Sequence, residues 1–145
     1  MKFDDIKSMA DEDCKIDGTE LDIESIKIPQ LHNKYLRLMQ DEKLVLRSMI
    51  SKRNTLYRLK WEYYTGKMSR EELEHHGWEP FQLNVLKKDL EIYLDSDADL
   101  NIMRDRIAMI EAKISYLEEI IKELNSRAWK IKNAIEWRKF TSGGF

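Results

Sequence analysis

The sequence is poor in residues that break, staple or anchor a chain. Its 145 residues hold one cysteine (Cys14), two prolines and five glycines. A single cysteine excludes an internal disulfide, which suits a reducing compartment. Few Gly and Pro beside 36% charged residues point to a helical protein, because little interrupts a helix. No apolar run approaches the ~18 residues of a membrane span. The acidic opening "MKFDDIKSMADEDCKIDG" lacks the apolar core of a signal peptide. Motifs for chemistry are missing too. There is no Gly-rich phosphate loop, no nucleophile elbow, no Ser/Cys/His set, and neither CxxC nor HxxxH spacing. His75-His76 are adjacent and so diverge on a helix, and Cys14 and His32 lie elsewhere, so four spaced zinc ligands are not provided. The acids Asp89, Glu91, Asp95, Asp97 and Asp99 read as helix caps and a solvated face, with a smaller claim as a mimic of nucleic acid or a site for a basic partner. No catalysis, metal or cofactor is expected.

Charge is present, and it is segregated. The net charge of −2 argues against a nucleic-acid binder, but it hides blocks of −5 over residues 1–30, +7 over 31–70, −8 over 71–125 and +4 over 126–145. Fields act over a Debye length of about 8 Å, so a partner meets the blocks rather than the total.

Helical spacing fills most of the chain. The first fifteen residues form a short helix with Phe3, Ile6 and Met9 on one side. Thr19 with Asp22 resembles a capping box, and Pro29 is expected to interrupt or kink the path. A long amphipathic helix covers about 31–66. Leu31, Tyr35, Leu38, Val45, Met49, Leu56, Leu59 and Tyr63 form its apolar row, Glu42 and Lys52 break it, and Gly66 stops it. At ~1.5 Å per residue it would reach about 50 Å. Ser69-Arg70-Glu71-Glu72 caps a short helix, and "HHGWEPF" is a loop. Leu83, Leu86, Leu90 and Tyr93 predict a short helix ending near Leu94, with a strand over "LEIYL" as the alternative.

After "DSDAD", whose Asp95, Ser96 and Asp97 are N-cap candidates, comes the clearest pattern in the chain. Leu100, Met103, Ile107, Ile110, Ile114, Leu117, Ile121, Leu124, Ala128, Ile131 and Ile135 keep 3-4-3-4 spacing for five heptads. A coiled coil, within the chain or between subunits, is the physical expectation. Ile120 and Ala134 widen the seam, which favours an assembly larger than a dimer. The basic, aromatic end "WRKFTSGGF" is expected to fray. The architecture is therefore all-α: a helical region at 1–94, then an oligomerisation helix with a basic tail at 95–145.

The densest chemistry lies in "TLYRLKWEYYTGK", Thr55 to Lys67. On a helix Arg53, Tyr57, Lys60 and Tyr64 share one face, with Arg58 and Trp61 beside them. Cations for phosphates and flat rings for unpaired bases are what a single strand of nucleic acid needs. The plainer reading puts the tyrosines in the core and leaves the basic residues to solvent. Tyr63 continues the apolar row of Leu56 and Leu59 and belongs inside, whereas Tyr57 and Tyr64 are the stacking candidates.

From Arg58 to Gly66, Arg-Leu-Lys-Trp-Glu-Tyr-Tyr-Thr-Gly, the sequence resembles the UvsY-like recombination mediators of T-even-like bacteriophages; "VLKKDLEIYLDSDADL" and the overall length fit as well. The resemblance implies a non-enzymatic accessory protein in the cytoplasm of an infected bacterium. Such proteins bind single-stranded DNA, contact a RecA-like recombinase and a single-strand-binding protein, help load the recombinase in recombination, replication and repair, and form ring-like homo-oligomers. Position by position it marks Arg58 and Lys60 as DNA contacts, with Lys67 as a following basic residue; Arg53, Tyr57, Trp61 and Tyr64 join them from the helical reading. Ile107, Ile110, Ile114, Leu117, Ile121, Leu124, Ile131 and Ile135 are the expected assembly seam. The rival reading is a coiled-coil scaffold that binds proteins only, although such a scaffold has no need of the +7 block at 31–70.

Overall fold

A computed structural model of the chain describes residues 1–143. The described residues form α1 (Phe3–Asp13), α2 (Leu21–Tyr64), α3 (Arg70–His76), a single 3₁₀ turn at Lys87–Asp89, α4 (Leu90–Asp95) and α5 (Ala98–Thr141). None of them forms a strand, and no helix is long and apolar enough to cross a membrane.

The chain packs as two compact units. One combines Met1–Lys43 with the chain from Ala112 onward, and the other is Leu44–Glu111. These units follow packing and cut across the division by role at residue 95, which is a separate matter.

In the first unit α1 docks through Ile6 and Ala10, both essentially fully buried. Polar contacts fix its end. The Asp13 carboxylate accepts from Lys34 Nζ at 2.6 Å and from the buried Tyr35 hydroxyl at 2.7 Å, while the Asp13 carbonyl accepts from Arg127 Nη2 at 2.8 Å. Burial alone would raise the Asp13 carboxyl, but the hydrogen bonds from Lys34 and Tyr35 outweigh it and hold its pKa below the ordinary value. Glu42, a polar break in the apolar row, is buried 3.0 Å from Lys113 Nζ. In the second unit Leu90, Leu94 and Leu100 form a core against which Leu56, Trp61, Tyr64 and Val85 pack.

Four expectations change. Pro29 lies inside α2 and the helix starts at Leu21, ten residues before the expected Leu31. One lost backbone bond is tolerated because buried Leu21 and Tyr35 anchor the helix on both sides of it. Thr19 does not cap α2, because its N–H and hydroxyl both donate to Asp17, at 2.9 and 2.7 Å. The segment 81–86 is not helical, and Leu83 and Leu86 are exposed. Phe81 instead joins an aromatic group with Tyr63, Tyr64 and Tyr93, and an extended path is what brings it there. The end does not fray at Trp137, since α5 runs to Thr141; Gly144 and Phe145 lie outside the described residues.

The heptad seam finds cover inside its own chain. Ile107, Ile110, Ile114, Leu117, Leu124 and Ile131 are buried, and Ile121 and Ile135 are half-buried. These side chains are covered without a second copy of the chain. With α2 starting at Leu21, both long helices have 44 residues. One heptad position is filled unexpectedly. Ala128 is exposed, and its neighbour Arg127, 2% exposed, turns inward to reach Asp13.

Candidate nucleic-acid interface

The last turns of α2 carry the basic and aromatic residues, and Gly66 fixes where they end. The Lys67 N–H donates to the Glu62 carbonyl at 2.9 Å and the Gly66 N–H to that of Tyr63 at 3.3 Å, with Gly66 at φ 73°. This left-handed terminus satisfies the last carbonyls at a conformation that a side chain would strain. Gly77 repeats the device after α3, whose Ser69 hydroxyl accepts from the Glu72 N–H at 3.2 Å.

The expected row does not form one open face. Arg58 and Tyr57 face solvent, and Arg53 is half-buried with Nη2 at 3.3 Å from the Asn54 amide oxygen. Lys67 is exposed, with its ammonium 4.3 Å from the centre of the half-buried Trp61 ring. Lys60 is turned inward. It is 5% exposed, 2.8 Å from the Asp99 carboxylate and 3.2 Å from that of Asp97, and its ammonium sits 4.1 Å from the Trp78 ring centre. Tyr64 follows it inward and donates to Asp97 Oδ2 at 2.6 Å. So the structure leaves Arg58, Tyr57 and Lys67 exposed and takes Lys60 and Tyr64 into the unit. The reason is spacing: Lys60 lies four residues after Leu56 and three before Tyr63, on the inward side of α2.

Asp97 is the residue that ties this arrangement together. Its Oδ1 accepts from the Leu100 N–H at 2.9 Å and so caps α5. Its Oδ2 serves Tyr64 and Lys60. Burial would raise the Asp97 carboxyl, but Tyr64, the Leu100 N–H and Lys60 together hold its pKa below the ordinary value. Burial, and then the hydrogen bond to Asp97, push the Tyr64 phenol well above its usual range. The acidic segment was legible as caps. Its second task, neutralising a lysine thirty-seven positions earlier, carries no local signal beyond opposite charge. Tyr63 is also committed to the unit: its hydroxyl donates to the Glu79 carbonyl at 2.5 Å, and its ring meets Trp78 edge-on.

Among the described residues no group of three or more His, Cys, Asp or Glu side chains converges as a metal site. His76 stacks on Trp78 at 4.6 Å.

Comparison with known proteins places this geometry. The family described as "Recombination, repair and ssDNA binding protein UvsY" matches residues 9–144. The fold is similar to crystal structures of the bacteriophage T4 recombination mediator protein UvsY. One superposes with a TM-score of 0.86 at 18% identity over 97% of this chain and 99% of the other. A second crystal form gives 0.85 at 19% identity over 98% of each chain, and a third gives 0.83 at 19% over 94% of this chain and 98% of the other. No curated protein matches by sequence.

Proposed function

The chain belongs to the UvsY family of recombination, repair and ssDNA-binding proteins, and from that premise we propose that it is a recombination mediator. It binds single-stranded DNA and loads a RecA-like recombinase onto DNA covered by a single-strand-binding protein, in phage recombination, replication and repair within the host cytoplasm. The observation that carries this reading is the exposed Arg58, with Tyr57 beside it, within the most basic block of the chain. Arg53 and Lys67 extend the cationic surface. Lys60 acts indirectly, by holding the end of α2 against Asp97 and Asp99. Phosphate binding then rests on fewer cations than the sequence offers, so avidity has to supply the remainder.

Residues 1–94 take the DNA in this reading and 95–145 the assembly. The apolar surface for assembly is the outer face of α5, where Trp129, Trp137 and Phe140 are 66%, 64% and 76% exposed. A ring of more than two copies would repeat Arg58 around an axis and join weak sites into one strong one.

Two measurements test this. Arg58→Ala is expected to weaken binding to a single-stranded oligonucleotide and to lower the salt slope by about 0.7 per lost phosphate contact, without changing thermal stability. Unchanged affinity and slope would remove Arg58 from the site, and no binding by the unaltered protein would leave the scaffold reading. Trp129→Glu with Trp137→Glu is expected to lower the particle mass in light scattering, because two charges would enter the interface. An unchanged mass would place assembly elsewhere.

A further inference from the structure

Beside the end of α2 lies a cavity of about 300 Å³, lined by Trp61, Tyr64, Lys67, Phe81, Asn84 and Lys87 among others. We propose that it is a pocket for one unpaired nucleobase, with Lys67 and Lys87 taking the flanking phosphates. This deepens the single-stranded DNA reading above and rests on it.

Size sets the first limit. The cavity stands at the lower end of the ~300–1,000 Å³ found for small-ligand sites, so it admits a ring system and excludes a helix or a folded peptide. Its wall is fixed in advance. Trp61 and Tyr64 pack with Val85 on the Leu90, Leu94 and Leu100 core, and the Tyr64 hydroxyl is tied to Asp97. Phe81 stands edge-on to Tyr64 with ring centres 4.9 Å apart. A site built this way loses little entropy on binding.

Composition sets the second limit. Flat rings accept any base, since every base has a π-face. Gln82 and Asn84 are also among the lining residues, and amide side chains carry both donors and acceptors, which suits the mixed edge of a base better than an apolar side chain. The lining includes no acidic residue, although the surrounding block 71–125 has a net charge of −8. Lys67 and Lys87 are both exposed, so an anionic backbone at the cavity meets two cations and no carboxylate of the lining. The extended path of residues 81–86 also gains a purpose, because a continuous helix from Leu83 would not lay Phe81, Gln82 and Asn84 around one opening.

The test compares oligo(dT) with an abasic oligonucleotide of equal length, using the full chain. The unaltered protein is expected to bind oligo(dT) about tenfold tighter, the gain of a stacked base. Asn84→Trp fills the cavity from an exposed loop position. It is expected to abolish that preference, with the circular dichroism spectrum unchanged. Lys67→Ala/Lys87→Ala, which leaves the wall intact, is expected to weaken binding and flatten its salt dependence. Equal binding of the two oligonucleotides by the unaltered protein, or a preference that survives Asn84→Trp, would overturn the pocket and leave the Arg58 surface standing. Binding of neither would overturn the single-stranded DNA reading itself. If an aspartate-rich peptide ending in phenylalanine lost its binding on Asn84→Trp while oligo(dT) did not, the pocket would belong to a protein partner and the proposal would fall.

Discussion

Asp97→Ala is expected to lower the folding stability by about 3–5 kcal/mol, read as a shift in the urea midpoint. Three losses coincide at one carboxylate: the cap of α5, the acceptor for Tyr64, and the more buried of the two partners of Lys60. Lys60, 5% exposed, would keep only Asp99, whose side chain is 51% exposed. An ammonium held that deeply beside one solvated partner is costly. Replacing Lys60 by Met as well is expected to recover part of the loss, since the stranded charge is then gone. An additive double-mutant cycle would show that the pair is not coupled. The pH dependence has a definite sign. The Asp97 pKa is lowered on folding from about 3.8, so its contribution is full above that value and is lost as pH falls through the folded one. Asp13 behaves the same way. Stability should therefore decline below about pH 4, and Asp97→Asn should decline less. An identical acid limb in the two proteins would dismiss Asp97 as a contributor.

Arg127→Ala is expected to cost about 3 kcal/mol, combining a large cavity with an orphaned carbonyl. Arg127 is 2% exposed, and its guanidinium donates to the carbonyl of Asp13, the last residue of α1. A cation at that end also suits the helix dipole. The loss should be local as well as global: α1 amides would exchange with solvent faster than those of Leu90–Asp95. Arg127→Lys should restore only part, because an ammonium does not reproduce the planar donor. Equal protection of α1 in both proteins would refute the assignment.

The all-α class, both long helices, the stop at Gly66 and the start of α5 near Asp97 were legible, because each rests on local chemistry: periodicity, left-handed glycine, or a carboxylate cap. Tyr63 was legible as interior for the same reason. The reach of α2 back to Leu21 was not, since a proline's local cost was set against tertiary burial that no local window reports. Lys60 shows the same limit at the candidate site. Its charge and its motif neighbours point outward to phosphate, whereas its partners at Asp97 and Asp99 are brought in by the fold. Arg127 was passed over because the heptads assign the neighbouring Ala128 to the seam.

The contact between α1 and α5 has a consequence for synthesis. Residues 44–111 are contiguous and can pack as soon as they leave the ribosome. The other unit joins α1 to α5, with Arg127 reaching Asp13 across 114 positions. During translation α1 can meet Lys34 and Tyr35 of α2 early, but its contact with Arg127 must wait until α5 has emerged. At ~5–20 residues per second that delay is on the order of 5–20 seconds for a hundred residues. The first helix made is thus fully fastened only when the last one arrives, with its Asp13 carboxylate held early and its Asp13 carbonyl late.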